Sequence, residues 1–188
     1  MDDQKLAEYA LRAYTEKTHD VGGTEALVEH TEHGTVIAFR GTEEAEDFVT
    51  DIRALPWYST KLGAWCHAGF LKSVRPLFGK IKHRESVYLT GHSLGGALAQ
   101  IYAAYLVTEG YKPFLTTFGA PRAGMQGLCD ISSQCEGKRY VRDGDTVPHV
   151  PVHIPLLFPY EHDRPETTLK GAAGVFDDHG MLGYLSEV

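Results

Sequence analysis

The stretch that decides the fold is residues 87–100, which read VYLTGHSLGGALAQ. A β-branched and aromatic run is followed by a glycine-rich turn and then by an alanine-rich, helix-like segment. Ser93 stands in the turn between Gly91 and Gly95. A sharp strand-to-helix turn holds a serine in a strained backbone conformation with its hydroxyl pointing outward, and it leaves no room for side chains two positions away. The stretch therefore predicts a buried strand, a turn that presents a nucleophile, and a helix.

The same turn predicts how a developing negative charge would be stabilised. The N-terminus of the following helix carries free N–H groups and a partial positive charge beside the serine. The N–H of Leu94 is positioned to bind an oxyanion. The bare G-x-S-x-G pattern arises by chance in roughly a few per cent of chains of this length, so a structural glycine turn is the alternative interpretation. The strand before the serine and the helix after it favour the nucleophile.

The rest of the chain alternates between strand and helix patterns. A hairpin is expected around 32–34, between strands at 24–31 and 35–40, and the second strand is almost entirely apolar, as a central strand would be. Apolar residues recur at helical spacing over 2–17 and over 69–82, the latter despite Pro76. Further elements are predicted at 86–90, 94–109, 114–118, 138–142 and 178–186, with an irregular tail from 148. This order predicts an α/β fold with a mostly parallel sheet flanked by helices, formed by residues 1–188 as one compact domain.

Composition and charge exclude several classes of function. The 188 residues carry a net charge of −7 and contain no Lys/Arg-rich block, which argues against a nucleic-acid partner. No apolar stretch approaches the roughly 20 residues of a membrane-spanning helix. The N-terminus lacks the basic start and continuous apolar run of a signal peptide, so we expect a cytoplasmic protein or one released without a conventional signal peptide.

The cysteines are odd in number and show no metal-type spacing. They are Cys66, Cys129 and Cys135. Free thiols in a reducing compartment are the expectation, and a bridge between Cys129 and Cys135 is the alternative.

Five short segments together resemble one known family, the class 3 lipases, which form the fungal-lipase-like branch of the α/β-hydrolases. The segments keep the family's order and rough spacing between residues 36 and 151. They are FRGT at 39–42, HAGF at 67–70, GHSLGGALA at 91–99, TFGAPRAG at 117–124 and RDGDTVPHVP at 142–151. The resemblance implies an α/β-hydrolase fold.

The resemblance also implies a role for each matched residue. Ser93 would be the nucleophile and Asp145 the acid of a catalytic triad, with Asp143 as a neighbouring rival outside the matched motif. Thr42 and Leu94 would give the two backbone N–H groups of an oxyanion hole. No metal and no organic cofactor is required for this chemistry.

The base of the triad has several candidates downstream of Asp145. His179 resembles the family's terminal H-x(3,4)-Y motif and is the expected base, with His162 as the alternative. His149 and His153 lie so close to Asp145 in the chain that we do not expect them to reach back over the serine.

In this family the segment after F-R-G-[ST] commonly forms a lid. Here acidic residues precede an apolar stripe, which favours either an amphipathic flap over the site or a fixed surface helix that Pro56 ends. Its acidic face would be repelled by anionic lipid headgroups. The residues of this candidate lid are Glu43, Glu44, Ala45, Glu46, Asp47, Phe48, Val49, Thr50, Asp51 and Ile52.

The function that these patterns favour is a lipase-type serine carboxylester hydrolase acting on acylglycerols or related lipid esters. Its partners would be a lipid or small ester substrate, with transient contact to a membrane or lipid interface; the oligomeric state stays open. The alternatives are a phospholipase, a short-chain esterase or a thioesterase, since acyl-chain choice depends on pocket shape. An alternative outside the enzymes is a silent hydrolase fold used for binding.

Overall fold

The computed structural model describes residues 1–42, 55–171 and 179–188. Its five helices within these ranges are α1 (Asp3–Arg12), α2 (Ala68–Val74), α3 (Leu94–Thr108), α4 (Gln126–Ser132) and α5 (Met181–Glu187). The strands are β1 (His19–Val21), β2 (Thr24–Thr31), β3 (Gly34–Phe39), β4 (Pro56–Ser59), β5 (Ala64–His67), β6 (Val87–His92), β7 (Phe114–Phe118), β8 (Gly124–Met125), β9 (Arg139–Arg142), β10 (Tyr160–Glu161) and β11 (Glu166–Leu169).

The main sheet has seven strands in the order β1-β2-β3-β6-β7-β9-β11. Its first three strands are antiparallel, and the predicted hairpin joins β2 to β3. From β3 onward every pairing is parallel. The carboxyl ends of β3, β6, β7 and β9 therefore meet at one edge of the sheet, where α/β folds place their ligands.

Helices cover both faces of this sheet because the central strand β3 is apolar on both sides. Val36 and Ala38 pack in a cluster with residues of α1, whereas Ile37 and Phe39 pack in the large cluster that contains α3. Helix α5 lies against α1, and helices α2 and α4 lie against α3. The mostly parallel, helix-flanked sheet is the architecture that the sequence predicts.

A second, four-stranded antiparallel sheet has the order β10-β8-β5-β4 and was not predicted from the sequence. Its strands are short, at two to four residues each. Such strands leave little room for the alternation that signals a strand. The small sheet packs on the large core through residues such as Ala64 and Cys66.

Two predicted helices are shorter than their apolar patterns. The first ends at Arg12 instead of residue 17. The second ends at Val74, followed by a 3-10 turn at Arg75–Leu77, because Pro76 has no N–H and its ring clashes with the preceding helical turn. The short helix expected before Pro56 involves residues 43–54, which lie outside the described residues.

The tail is more regular than expected, since it contains both β10 and β11. Strand β11 pairs parallel to β9 and closes one end of the main sheet. Its sequence, ETTL, is polar and mostly exposed, as an edge strand can be, so it gives no hydrophobic signal.

The three cysteines are free and buried, so Cys129 and Cys135 are not bridged. Burial raises the pKa of each thiol to about 12, which keeps the thiols protonated and unreactive.

In the described parts of the chain, no helix has the length and apolar character needed to cross a bilayer.

Candidate active site

Ser93 occupies the strained turn that the sequence predicts. It is the single residue between β6 and α3, with φ 55° and ψ −130°. Positive φ at a non-glycine residue costs roughly 1–3 kcal/mol. The surrounding fold maintains it, in part through the Ser93 N–H, which donates to the Phe118 carbonyl at 3.0 Å. Ser93 is completely buried.

The glycines around Ser93 are needed for close backbone contacts. A Cβ on Gly95 would overlap the Phe39 carbonyl group and lie 2.9 Å from its carbon. A Cβ on Gly91 would lie 2.7 Å from the Gly96 nitrogen. Real Cβ atoms are essentially never this close to backbone atoms. The steric clearance inferred from the sequence is therefore present between β3, β6 and the start of α3.

We expect Gly95→Ala to destabilise the protein by at least about 3 kcal/mol, because rigid backbone on β3 cannot move away from the added methyl group. Gly127→Ala is the matched control, since Gly127 lies in α4 and its nearest neighbour to a new Cβ is Ala64 at 3.6 Å. That control should stabilise by up to about 1 kcal/mol through helix propensity. Urea unfolding of both variants measures the difference; equal stabilities would contradict the packing argument.

Asp145 and His179 form a hydrogen-bonded pair at the carboxyl edge of the sheet. The His179 Nδ1–H donates to Asp145 Oδ2 at 2.8 Å. The Tyr184 hydroxyl donates to the same oxygen at 2.5 Å and accepts from the Arg142 N–H at 3.0 Å. The other oxygen, Oδ1, accepts from the Val147 N–H at 2.9 Å. Asp145 is buried but well supplied with donors, so its carboxylate is fixed in place.

Two buried polar atoms remain available at this site. Ser93 Oγ and His179 Nε2 have no hydrogen-bond partner among the described residues. Buried polar atoms are seldom left unsatisfied, and the exceptions are enriched at catalytic sites. The end of β7 lies beside both: Phe118 binds the Ser93 N–H, and a Cβ on Gly119 would lie 3.1 Å from His179 Cε1.

His92, the residue before the serine, connects the turn to the His179 segment. Its Nε2–H donates to the His179 carbonyl at 2.6 Å, so its Nδ1 is the acceptor for the Tyr14 hydroxyl at 2.7 Å. Complete burial, together with the nearby His179, lowers the pKa of His92 well below its usual value. His92 is therefore neutral and holds the backbone of His179 against the turn.

Comparison with known proteins decides the family. The family described as lipase (class 3) matches residues 36–154, more than half of the chain.

The chain belongs to the class 3 lipase family.

Curated relatives of this chain include a secreted mono- and diacylglycerol lipase from Fusarium solani. It is 33% identical over 150 residues, which cover 72% of this chain and 44% of the relative. A lipase from Rhizomucor miehei is 33% identical over 144 residues, covering 67% of this chain and 39% of the relative. The chain thus spans less than half the length of these two relatives.

Solved structures of fungal lipases share the fold of this chain. The Rhizomucor miehei lipase in its propeptide complex matches with a TM-score of 0.69 and 23% identity, over 90% of this chain and 69% of that one. A lipase from Yarrowia lipolytica matches with a TM-score of 0.68 and 20% identity, over 88% of this chain and 77% of that one. These neighbours confirm the α/β-hydrolase-type fold.

The two predicted oxyanion residues lie on one cleft of the protein. Thr42 follows β3, Leu94 begins α3, and both line a cleft of about 450 Å³. Several of its other lining residues are polar: Thr24, Glu25, Arg40 and Ser73. The candidate lid, residues 43–52, lies outside the described residues, so whether it is a flap or a fixed helix stays a prediction.

The other candidate side chains have different contacts. His162 uses Nε2 to donate to the Pro148 carbonyl at 2.7 Å. His153 donates through Nδ1 to the Tyr160 carbonyl at 3.0 Å. Asp143 and His149 line a separate cleft of about 260 Å³ together with Asp145. Of the four downstream histidines, His179 is hydrogen-bonded to Asp145.

We expect the protein to lose stability as the pH falls from about 6.5 to 5. Burial, assisted by the positive charge of Arg139, lowers the pKa of His162 to about 3, and His92 is shifted in the same direction. The unfolded chain binds these protons near pH 6.5. It therefore takes up protons that the folded state excludes, and the free energy of unfolding falls by up to about 1 kcal/mol per pH unit for each histidine.

Urea unfolding at pH 7.5, 6.5 and 5.5 measures this loss, and His162→Gln provides the comparison. Glutamine keeps an N–H donor for the Pro148 carbonyl but does not titrate. The variant should lose less stability than the parent across this range. An identical slope would exclude His162 as a source of acid sensitivity.

Proposed function

We propose that this protein is a serine carboxylester hydrolase of the lipase type. Ser93 attacks the acyl carbonyl, and His179 takes the serine proton and passes it to the leaving alcohol. Asp145 holds the tautomer of His179 and stabilises its protonated form. The N–H groups of Thr42 and Leu94 stabilise the tetrahedral oxyanion, worth roughly 3–4 kcal/mol per donor in comparable sites. Water then cleaves the acyl-enzyme and regenerates Ser93.

The observation that carries this proposal is the Asp145–His179 hydrogen bond of 2.8 Å, at a site where Ser93 Oγ and His179 Nε2 are buried and have no hydrogen-bond partner among the described residues. With Nδ1 donating to the carboxylate, Nε2 of the neutral imidazole is an acceptor and can receive the serine proton. Ser93 supplies that proton from a strained turn at a helix N-terminus. The arrangement matches the requirements of a nucleophile, a base and an orienting acid.

The proposed substrates are acylglycerols or related lipid esters, supported by the names of the relatives as acylglycerol lipases. A second candidate is a short-chain esterase. It is favoured by the polar side chains on the cleft beside Thr42 and Leu94, because long acyl chains are bound by apolar walls.

Two measurements test the activity and separate the substrate classes. A fluorophosphonate probe should label the wild-type protein and fail to label Ser93→Ala. A series of chromogenic esters from C2 to C16 then gives the acyl preference. Activity that peaks at C8 or longer supports the lipase, and a peak at C2–C4 supports the short-chain esterase. No labelling of the wild type would exclude the serine mechanism.

We further propose that residues 1–188 act as one domain. This is supported by one buried cluster that contains residues from β2 through Cys135. For the compartment, the free buried thiols support a reducing one, whereas the Fusarium solani relative is called secreted. Fractionation of the native host with an antibody distinguishes the two.

A further inference from the structure

A short apolar hairpin projects from the tail that follows Asp145 in the chain. We call residues 154–158 the leucine hairpin. Ile154 and Phe158 exchange backbone hydrogen bonds of 2.9 and 2.8 Å, and the Leu157 N–H donates to the Ile154 carbonyl at 3.2 Å. Pro155 and Leu156 are thus the central residues of a tight turn.

Leu156 is an unfavourable residue for this turn unless its side chain binds a partner. Its φ is 68°, a conformation that favours glycine or asparagine at this turn position. Its side chain is also 100% exposed, and that of Leu157 is 69% exposed. Leu156 therefore carries both backbone strain and an exposed apolar side chain. Neither cost is offset by a contact among the described residues.

The hairpin has a fixed base and a free tip. The Arg122 guanidinium donates to the Pro151 carbonyl at 2.9 Å, and the Arg122 N–H donates to the Val150 carbonyl at 2.8 Å. On the other side, the His153 ring donates to the Tyr160 carbonyl at 3.0 Å. The same tail segment is anchored to Asp145 through Val147. The base of the hairpin is consequently fixed by hydrogen bonds to Arg122 and Tyr160.

The charge around the hairpin indicates what kind of surface it contacts. The chain has a net charge of −7, yet residues 146–160 include no Asp, Glu, Lys or Arg. An uncharged, apolar tip suits a neutral or zwitterionic lipid layer, whereas contact with an anionic membrane would call for basic residues.

We propose that the leucine hairpin inserts Leu156 and Leu157 into the surface of a neutral lipid layer and so holds the protein at that layer. The inference rests on the proposed function in one respect only, namely that the contacted surface is a lipid. The insertion is separate from any movement of the candidate lid.

Binding to vesicles of diether phosphatidylcholine tests the insertion, because these lipids contain no ester for the protein to cleave. Leu156→Gly and Leu157→Ser should each weaken partitioning about tenfold, and the double variant about 100-fold. Leu156→Gly should have an unfolding temperature equal to or above that of the parent, since glycine relieves the strained φ. Added phosphatidylserine should not strengthen binding.

Leu182→Ser is the matched control, because Leu182 is a leucine with the same 69% exposure but lies on α5. An equal loss of binding in this control, or unchanged binding in the double hairpin variant, would overturn the proposal. A different result would also overturn it: the wild-type protein is a dimer that does not bind vesicles, and Leu156→Gly dissociates that dimer. In that case a second copy of the chain would cover the hairpin. Cleavage of a soluble C4 ester is measured as a separate assay. If the protein does not cleave the ester but its vesicle binding still depends on the two leucines, the proposed function fails and the insertion stands.

Discussion

Replacing Ser93 by alanine is expected to remove ester hydrolysis almost completely while leaving the fold intact. We expect kcat to fall by roughly 10⁴- to 10⁶-fold, as when a serine nucleophile is removed from comparable triads. The residual rate would come from the oxyanion N–H groups and substrate positioning. The same variant should be as stable as the parent or more stable by about 1 kcal/mol, because the buried Ser93 Oγ has no partner among the described residues.

The Ser93→Ala experiment combines hydrolysis of a soluble ester with thermal unfolding. A large loss of activity together with an unchanged or higher unfolding temperature is the outcome that the structure predicts. A loss of activity accompanied by a large loss of stability would mean that the hydroxyl is structural. Retention of more than a few per cent of the activity would place the nucleophile elsewhere.

The second large effect is expected at His179. His179→Ala removes both the acceptor for the serine proton and the partner of Asp145 Oδ2, so we expect kcat/KM to fall by roughly 10⁴- to 10⁶-fold. Asp145→Asn should cost roughly 10⁴-fold, because an amide NH₂ at the position of Oδ2 would favour the wrong tautomer of the imidazole.

His162→Gln is the control for His179, since it alters the rival histidine and preserves a donor to the Pro148 carbonyl. It should keep kcat/KM within about threefold of the parent. Ester hydrolysis at pH 8, where the acid sensitivity of His162 is absent, gives the cleanest comparison. A reversal, with His162→Gln inactive and His179→Ala active, would move the base to His162.

The parts of the fold that the sequence predicts are those governed by neighbouring residues. Strand β7 has the predicted bounds because its aromatic and β-branched run lies between Pro113 and Gly119. Helix α3 ends one residue earlier than predicted, and it is a long apolar segment with clear ends. The small sheet and β11 could not be predicted in this way. Their strands are short or polar and are stabilised by pairing with distant segments, as β11 is by β9.

In the candidate site, too, the features set by neighbouring residues could be predicted and those set by distant residues could not. The clearance at Gly91 and Gly95 follows from the local geometry of one turn, and so does the strain at Ser93. By contrast, sequence reasoning missed the roles of His92 and Tyr184. The only signals were their positions in motifs. His92 is the variable residue before the serine in G-x-S-x-G, and Tyr184 is the tyrosine of the terminal H-x(3,4)-Y motif. Their partners lie 87 and 39 residues away in the chain.

By itself, the sequence determined that a serine would be forced into a strained position between a buried strand and a helix. That outcome depends on contacts within a few residues, where backbone sterics leave few alternatives. Only the tertiary structure decided which histidine lies against Asp145, and that His92 and Tyr184 hold the two in place. These contacts join residues on separate elements, and their geometry depends on how the parallel strands bring their carboxyl ends to one edge of the sheet.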